Sequence, residues 1–363
     1  MDDSALLESM LRIPSLSHQE HLLAAMLRDE LDRRGFVASV DEVGNVVGRR
    51  GDPASGPTIV LLGHMDTVAG EVPVRREGDL LYGRGAVDAK GPLAAFIAAA
   101  SAHQGPGCVV VIGAVEEEAA TSRGARHAME RFNPDYAIIG EPSSWDRVTV
   151  GYKGRLLAHY RVERAMAHTA GARQSACEAA VSFWQRVQEA VELENVDRPP
   201  AVFDRLQPSL RAMRSQTDGL TESAELELGF RLPPHFAVDA WQSTLCRVAE
   251  DAALRCYAHE QAVRVEKNTP LARAMLSAIR HQGGEPRFVV KTGTSDLNVV
   301  ATRWQCPLLA YGPGDSALDH TPHEHIRLSE YRHAIDVLRR ALESLCATAP
   351  EAAILSPHEE VRV

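Results

Sequence analysis

At 363 residues the chain exceeds the size at which one hydrophobic core usually keeps growing, so two domains are expected, and 45% hydrophobic residues supply core material for both. A formal net charge of −10 argues against nonspecific binding to nucleic acid or to a membrane surface as the main activity. No apolar run approaches the roughly 20 residues of a membrane span. The start Met1-Asp2-Asp3-Ser4 lacks the basic and apolar regions of a signal peptide, and six scattered cysteines without a CxxC pair read as reduced thiols of a cytoplasmic protein.

Along the chain, Ser17-His18-Gln19-Glu20 has the form of a capping box, after which Leu23, Met26, Leu27 and Leu31 recur at helical spacing until Gly35. Apolar runs then alternate with helical patterns. A strand at 58–62, a helix over 90–102, a strand at 109–115, a helix near 122–131 and a strand at 136–139 follow in turn. This alternation is that of an α/β sheet covered by helices. The character changes near Gly151-Tyr152-Lys153-Gly154. An alternating strand at 156–162, a helix from about 173 to 191, a proline-rich polar stretch over 198–219, an alternating strand at 224–232 and a helix over 238–251 read as an inserted α+β domain. The first pattern resumes at Thr269-Pro270 with a helix from 271, a strand at 287–290, a loop over 291–296, a strand at 307–310 and a final helix over 329–345. The expected partition is a catalytic domain of residues 1–154 and 266–363, with residues 155–265 inserted. The tail after Pro350 is expected to be partly extended.

The candidate chemistry lies where apolar runs end. His64 and Asp66, two apart after Thr58-Ile59-Val60-Leu61-Leu62, point to the same side of an extended strand end. Asp66 can then fix one ring nitrogen of His64 and leave the other for a metal. Asp88, among Gly83, Gly85 and Gly91, has two oxygens with which to bridge two cations about 3.5–4 Å apart. Its competing explanation is a cap for the helix that follows. Glu116-Glu117-Glu118 ends the next run, and three like charges in a cleft raise one another's pKa unless a metal relieves them. One glutamate could ligate while its neighbour takes a proton from the attacking water. A solvated acidic turn is the competing explanation. Glu141, in Gly140-Glu141-Pro142, and His320, in Asp319-His320-Thr321-Pro322-His323-Glu324, complete a set of His, Asp and Glu that a carboxylate-bridged pair of zinc-type ions requires.

The ordered signatures Gly-His-Met-Asp-Thr-Val, Gly-Arg-Gly-Ala-Val-Asp-Ala-Lys-Gly, Glu-Glu-Glu, Gly-Glu-Pro-Ser, Gly-Thr-Ser-Asp and His-Thr-Pro-His-Glu span about residues 63–324. With them the chain resembles the co-catalytic metallopeptidases and deacylases that include acetylornithine deacetylase, succinyl-diaminopimelate desuccinylase, carboxypeptidase G and aminoacylase. The resemblance implies an α/β, mixed-sheet metallopeptidase catalytic domain with an inserted α+β lid and dimerisation domain. It implies two Zn²⁺ ions, with Co²⁺ as a substitute: His64, Asp88 and Glu141 on one, and Asp88, Glu118 and His320 on the other. It makes Glu117 the general base and Glu118 the ligand, with a register shifted by one left open, and places Asp66 beside His64 in catalysis. His323 stands where the family usually has Asn. His168 matches a histidine that steadies the oxyanion, in some members from the partner subunit. Arg231 matches an arginine that holds a substrate carboxylate with its planar fork, and Gly293, Thr294 and Ser295 join it as implied substrate-binding residues.

Gly70-Glu71-Val72-Pro73-Val74-Arg75, Val87-Asp88-Ala89-Lys90-Gly91-Pro92-Leu93 and Val150-Gly151-Tyr152-Lys153-Gly154 further resemble a subgroup that releases lysine or ornithine from a small acidic amino-group carrier protein in lysine and arginine synthesis. A homodimer acting on that carrier, without nucleic acid or membrane partners, is the implied assembly. A basic rim around the cleft is then expected, from Arg75, Arg76, Arg84, Lys153 and Arg155. The alternatives are a small-molecule deacylase, such as acetylornithine deacetylase or succinyl-diaminopimelate desuccinylase, and a non-catalytic metal-binding scaffold that kept the fold.

Overall fold

The computed structural model describes residues 3–168, 171 and 173–347; the tail after Pro350, expected to be partly extended, lies outside them. The three apolar runs become buried parallel neighbours, with Thr58–His64 between Gly107–Ala114 and Tyr136–Gly140. Their alternate side chains serve two cores, since Ile59 and Leu61 pack into one cluster and Val60 and Leu62 into another. Helices His21–Arg33, Lys90–Ser101, Pro270–His281 and Leu328–Ala347 contribute to the first cluster, and Arg123–Arg131 with Asp296–Val300 to the second. Burial on both faces explains why these strands are continuously apolar rather than alternating.

Among the described residues the sheet has nine strands. Its order runs Val37–Val40, Val46–Asp52, Gly107–Ala114, Thr58–His64, Tyr136–Gly140, Leu308–Ala310, Arg147–Tyr152 and Val263–Arg264, with Arg287–Lys291 also paired to Arg147–Tyr152. It is mixed, because the first two strands run antiparallel to their neighbours. The three central parallel strands share one carboxyl edge, the place where open α/β sheets put their ligands. The strands 37–40, 46–52 and 147–152 were not anticipated from the sequence, for they are short and carry Arg49, Arg50, Thr149 and Gly151 among their apolar residues.

A second, four-stranded antiparallel sheet runs Gln207–Thr217, Thr221–Leu232, Gly154–Ala165 and Ala253–Glu260. Helices Ala176–Glu194 and Val238–Ala249 cover it through a separate core in which Tyr160 stacks on Phe183 at 4.0 Å and Phe230 meets Trp241 edge-on at 5.5 Å. The polar stretch expected over 198–219 contains the strand Gln207–Thr217. It is an edge strand with few buried side chains, so it carries no alternating apolar pattern. The chain crosses into this unit at Lys153/Gly154 and returns after Glu260, and the Asn298 amide donates to both crossings, to Lys153 O at 3.2 Å and Gln261 O at 2.7 Å. Among the described residues no helix is long and apolar enough to cross a membrane.

Candidate metal centre and substrate cavity

His64 is the last residue of its strand and is buried. Its Nδ1 faces the Asp66 main-chain oxygen at 3.0 Å, with Asp66 Oδ1 at 3.5 Å, and its Nε2 faces Asp88 Oδ1 at 3.1 Å. Asp66 thus fixes one ring nitrogen and leaves the other aimed at Asp88. The same carboxylate does more than the sequence suggests. Oδ1 accepts the Glu117 N–H at 3.0 Å, and Oδ2 accepts the Glu118 N–H at 3.0 Å and the Ser17 hydroxyl at 2.7 Å.

Ser17 is therefore not a helix cap. The helix begins at His21, with Glu20 in the cap position and no side-chain capping bond. The Glu20 carboxylate instead accepts the N–H groups of His18 and Glu116, both at 3.1 Å. Both residues of the apparent capping box are spent on the acidic turn, a long-range use that local spacing does not reveal. Because Ser17 donates to a buried carboxylate, Ser17→Ala is expected to lower the unfolding free energy by about 1.5–3 kcal/mol, read by urea denaturation.

The three glutamates divide. Glu116, at φ 61°, points its carboxylate to the Thr121 hydroxyl at 2.7 Å, His18 Nδ1 at 3.1 Å and Arg123 Nε at 3.1 Å. Glu117 and Glu118 line the cavity. His320 Nε2 lies 2.9 Å from Glu118 Oε1 and 3.0 Å from Asp88 Oδ2. Asp88 thus faces His64 with one oxygen and His320 with the other. It does not cap the following helix, whose cap position is Ala89 without a side-chain bond. Its loop is held instead by fully buried Glu324, whose carboxylate accepts the N–H groups of Val87 at 2.9 Å and Asp88 at 3.2 Å and a bond from Arg84 at 2.7 Å. His323, in the usual Asn position, is exposed.

The electrostatics are those of a cation site. Burial drives Glu117 well above the ordinary carboxylate range, opposed by His64 and reinforced by Glu141; burial and then Asp88 do the same to Glu141. Glu118 is also raised, mainly by burial. Hydrogen bonds to Asp88 and Glu118 lift His320 to about 10, and for His64 the bonds to Asp66 and Asp88 outweigh the opposing effect of burial. Burial would raise Asp88, yet His320 and His64 hold it far below its usual value. Asp88, Glu118 and His320 present ligand atoms within 4.8 Å of one another, and Glu141 Oε1 is buried without a hydrogen-bond partner. Two histidines and three carboxylates, one of them with an orphaned buried oxygen, fit a pair of divalent ions.

Asp88, Glu117, Glu118, Glu141 and His320 floor a cavity of about 520 Å³, with His64 buried beneath Asp88. Arg155, Arg211 and Arg231 of the four-stranded sheet form its opposite wall, with Lys291, Gly293 and Thr294 at the side. Arg231 donates to the Thr294 hydroxyl at 2.8 Å, and that hydroxyl donates to Lys153 O at 3.0 Å. Ser295 does not line the cavity; it caps the short helix that follows by accepting the Leu297 N–H at 3.2 Å. His168 lies in an exposed loop beyond the strand Gly154–Ala165 and does not line the cavity of its own chain.

Of the five cations expected at the rim, Arg155 alone lines the cavity. Arg75 pairs with Glu77 at 2.7 Å over the Tyr82 ring, Arg76 is exposed beyond it, and Arg84 serves Glu324. Lys153 is fully buried, donating to Val202 O at 3.0 Å and Gln207 Oε1 at 2.8 Å. Arg211 lines the cavity as well, hidden in the sequence because its strand lies within the proline-rich polar stretch 198–219.

Residues 60–344 match the model of peptidase family M20/M25/M40. The chain is 51% identical over 352 residues to a LysW-lysine hydrolase of Deinococcus radiodurans, covering 94% of this chain and 96% of that protein. It is 36% identical to a putative LysW-lysine/LysW-ornithine hydrolase of Thermococcus kodakarensis, covering 98% and 95%. Among solved structures, the M20 family metallo-carboxypeptidase Sso-CP2 from Sulfolobus solfataricus aligns at a TM-score of 0.79 and 17% identity over 96% of this chain and all (100%) of that one. The Bacillus subtilis YXEP protein, described as a dinuclear metal binding peptidase, aligns at 0.68 and 16% identity over 94% and 97%. These structural likenesses concern the fold.

Proposed function

This chain belongs to peptidase family M20/M25/M40, and we propose that within it the protein releases lysine, with ornithine as a second product, from the carboxyl-terminal glutamate of a small acidic amino-group carrier protein. The observation that carries this reading is the cavity itself, an acidic floor faced by Arg155, Arg211 and Arg231. An acidic protein bearing an amide with flanking carboxylates complements such a wall. Carrier-linked lysine and acetylornithine, assayed side by side, test it. Hydrolysis of the first with little of the second is expected, and the reverse would replace the carrier with a small acyl amino acid.

His64, Asp88 and Glu141 would hold one ion, and Asp88, Glu118 and His320 the other, with Zn²⁺ as the metal and Co²⁺ as its substitute. Divalent ions in such a site supply Lewis acidity, which acidifies water and polarises a carbonyl. Glu117, free of the Asp88 and His320 contacts, takes a proton from the attacking water and returns it to the leaving amine. Asp66 holds the tautomer of His64 and the backbone of both glutamates. Arg231, with Gly293 and Thr294 beside it, receives a substrate carboxylate.

The inserted unit, expected over 155–265 but bounded in the structure by 154 and 260 because Val263–Arg264 pairs into the large sheet, then acts as a lid and a dimer contact, and the six unpaired cysteines suit a reducing cytoplasm. Its helix Ala176–Glu194 and edge strand Gln207–Thr217 leave Val181, Leu193, Leu210 and Met213 exposed, apolar material for a second copy. In that dimer the exposed His168 enters the partner's cavity and steadies the oxyanion. Mixing His168→Ala with Glu117→Gln protein should restore roughly a quarter of wild-type activity, since random pairing makes half the dimers mixed and each of those carries one intact site. No recovery after subunit exchange would place His168 outside the chemistry of its partner.

A further inference from the structure

With Asp88, Glu118 and Glu141 assigned to ions and Glu117 to proton transfer, one carboxylate among the described cavity-lining residues has no task. It is Asp319, next to His320 and just beyond the short turn Ser316–Leu318. Its Oδ1 is buried and has no hydrogen-bond partner. Lys291, which shares the cavity wall, donates instead to Ser316 Oγ. A buried carboxylate oxygen without a donor is costly, and its persistence calls for a partner that arrives from outside.

The charges of the cavity say what that partner is. Two divalent ions offset Asp88, Glu118, Glu141 and Glu117, which leaves Arg155, Arg211, Arg231 and Lys291 against Asp319 alone. The leaving amino acid carries a carboxylate and a side-chain ammonium. The arginine wall complements the carboxylate. Asp319 is the single fixed negative charge left for the ammonium. A role in orienting His320 would require a bond that Asp319 Oδ1 does not make.

We infer that Asp319 receives the side-chain ammonium of the leaving diamino acid and is a specificity-determining residue of this enzyme. The inference rests on the diamino-acid product of the reading above. A directed charge at the end of an apolar chain measures length as well as sign, so it separates lysine from norleucine, which ends in methyl, and lysine from ornithine, one methylene shorter.

The test uses the full-length, metal-loaded protein and free lysine, ornithine and norleucine as ligands in calorimetry, alongside hydrolysis of the carrier-linked forms. Asp319→Asn is expected to weaken lysine about 30-fold or more while norleucine stays within about threefold, with both ions retained on metal analysis. Asp319→Glu, which carries the carboxylate one methylene further, is expected to shift the preference from lysine towards ornithine. Equal losses for lysine and norleucine, or lysine binding untouched by either substitution, would overturn the assignment. Wild-type protein that binds lysine through Asp319 yet fails to cleave carrier-linked lysine would defeat the proposed function and leave the ammonium site standing.

Discussion

Glu117→Gln protein is expected to bind both metal ions and lose roughly 10²–10⁴ in kcat, the contribution of a positioned general base. The substitution is isosteric, so what it removes is the capacity to take and return a proton. The backbone of Glu117 is fixed by Asp66 at 3.0 Å whichever side chain follows, and Glu118, with Asp88 and His320, is untouched. KM and metal content should therefore stay near wild-type values while kcat falls. Glu116→Gln is the control. Its carboxylate serves Thr121, His18 and Arg123 outside the cavity, so the variant should lose stability and keep most of its turnover. Reversed behaviour of the two variants would move the base one residue towards the amino terminus.

Stripping the metal is expected to abolish turnover and to give the protein a stability that declines from pH 5 to pH 9. Each raised carboxylate binds its proton more tightly in the folded than in the unfolded chain. Its stabilising effect is complete below the ordinary value and is lost as pH climbs to the raised one. This holds for Glu117, Glu118 and Glu141, and for Asp296 and Asp319, which burial lifts to about 7 and about 8. His64 and His320 are raised as well, His320 to about 10, so their contributions also fade with rising pH. Asp88 is shifted the other way, and its effect is lost only in acid below this window. Metal binding needs Glu118, Glu141, His64 and His320 deprotonated, so the rise in Tm on adding Zn²⁺ should grow over the range in which the stripped protein weakens. At a thousandfold excess over Kd each ion adds about 4 kcal/mol. Parallel pH profiles for stripped and loaded protein, followed by scanning calorimetry, would contradict a metal pair at these residues.

The floor of the cavity was legible in the sequence because each of its residues sits at the end of an apolar run or in a short ordered signature. His64, Asp88, Glu117, Glu118, Glu141 and His320 converge as that pattern suggests. The wall was less legible. Arg211 projects from an exposed edge strand whose residues carry no burial period, and Lys153, expected at the rim, turns inward because three acceptors of the 202–207 segment satisfy it. Ser17 shows the opposite failure, a correct local pattern outcompeted by a buried charge 49 residues away. Ser295 kept its local pattern and capped a helix.

Arg155 and Arg231 stand opposite each other in register on adjacent strands, and Arg211 lies on the next strand of the same small sheet. The three arginines of the wall thus belong to one contiguous segment, while the acidic groups of the floor lie on the other sheet and its loops. Two polypeptide crossings connect them, both clasped by the one amide of Asn298. Grafting the segment 154–260 from a relative with another wall therefore needs only two junctions at a single clasp, and would exchange the three arginines while leaving Asp319 and the acidic floor in place.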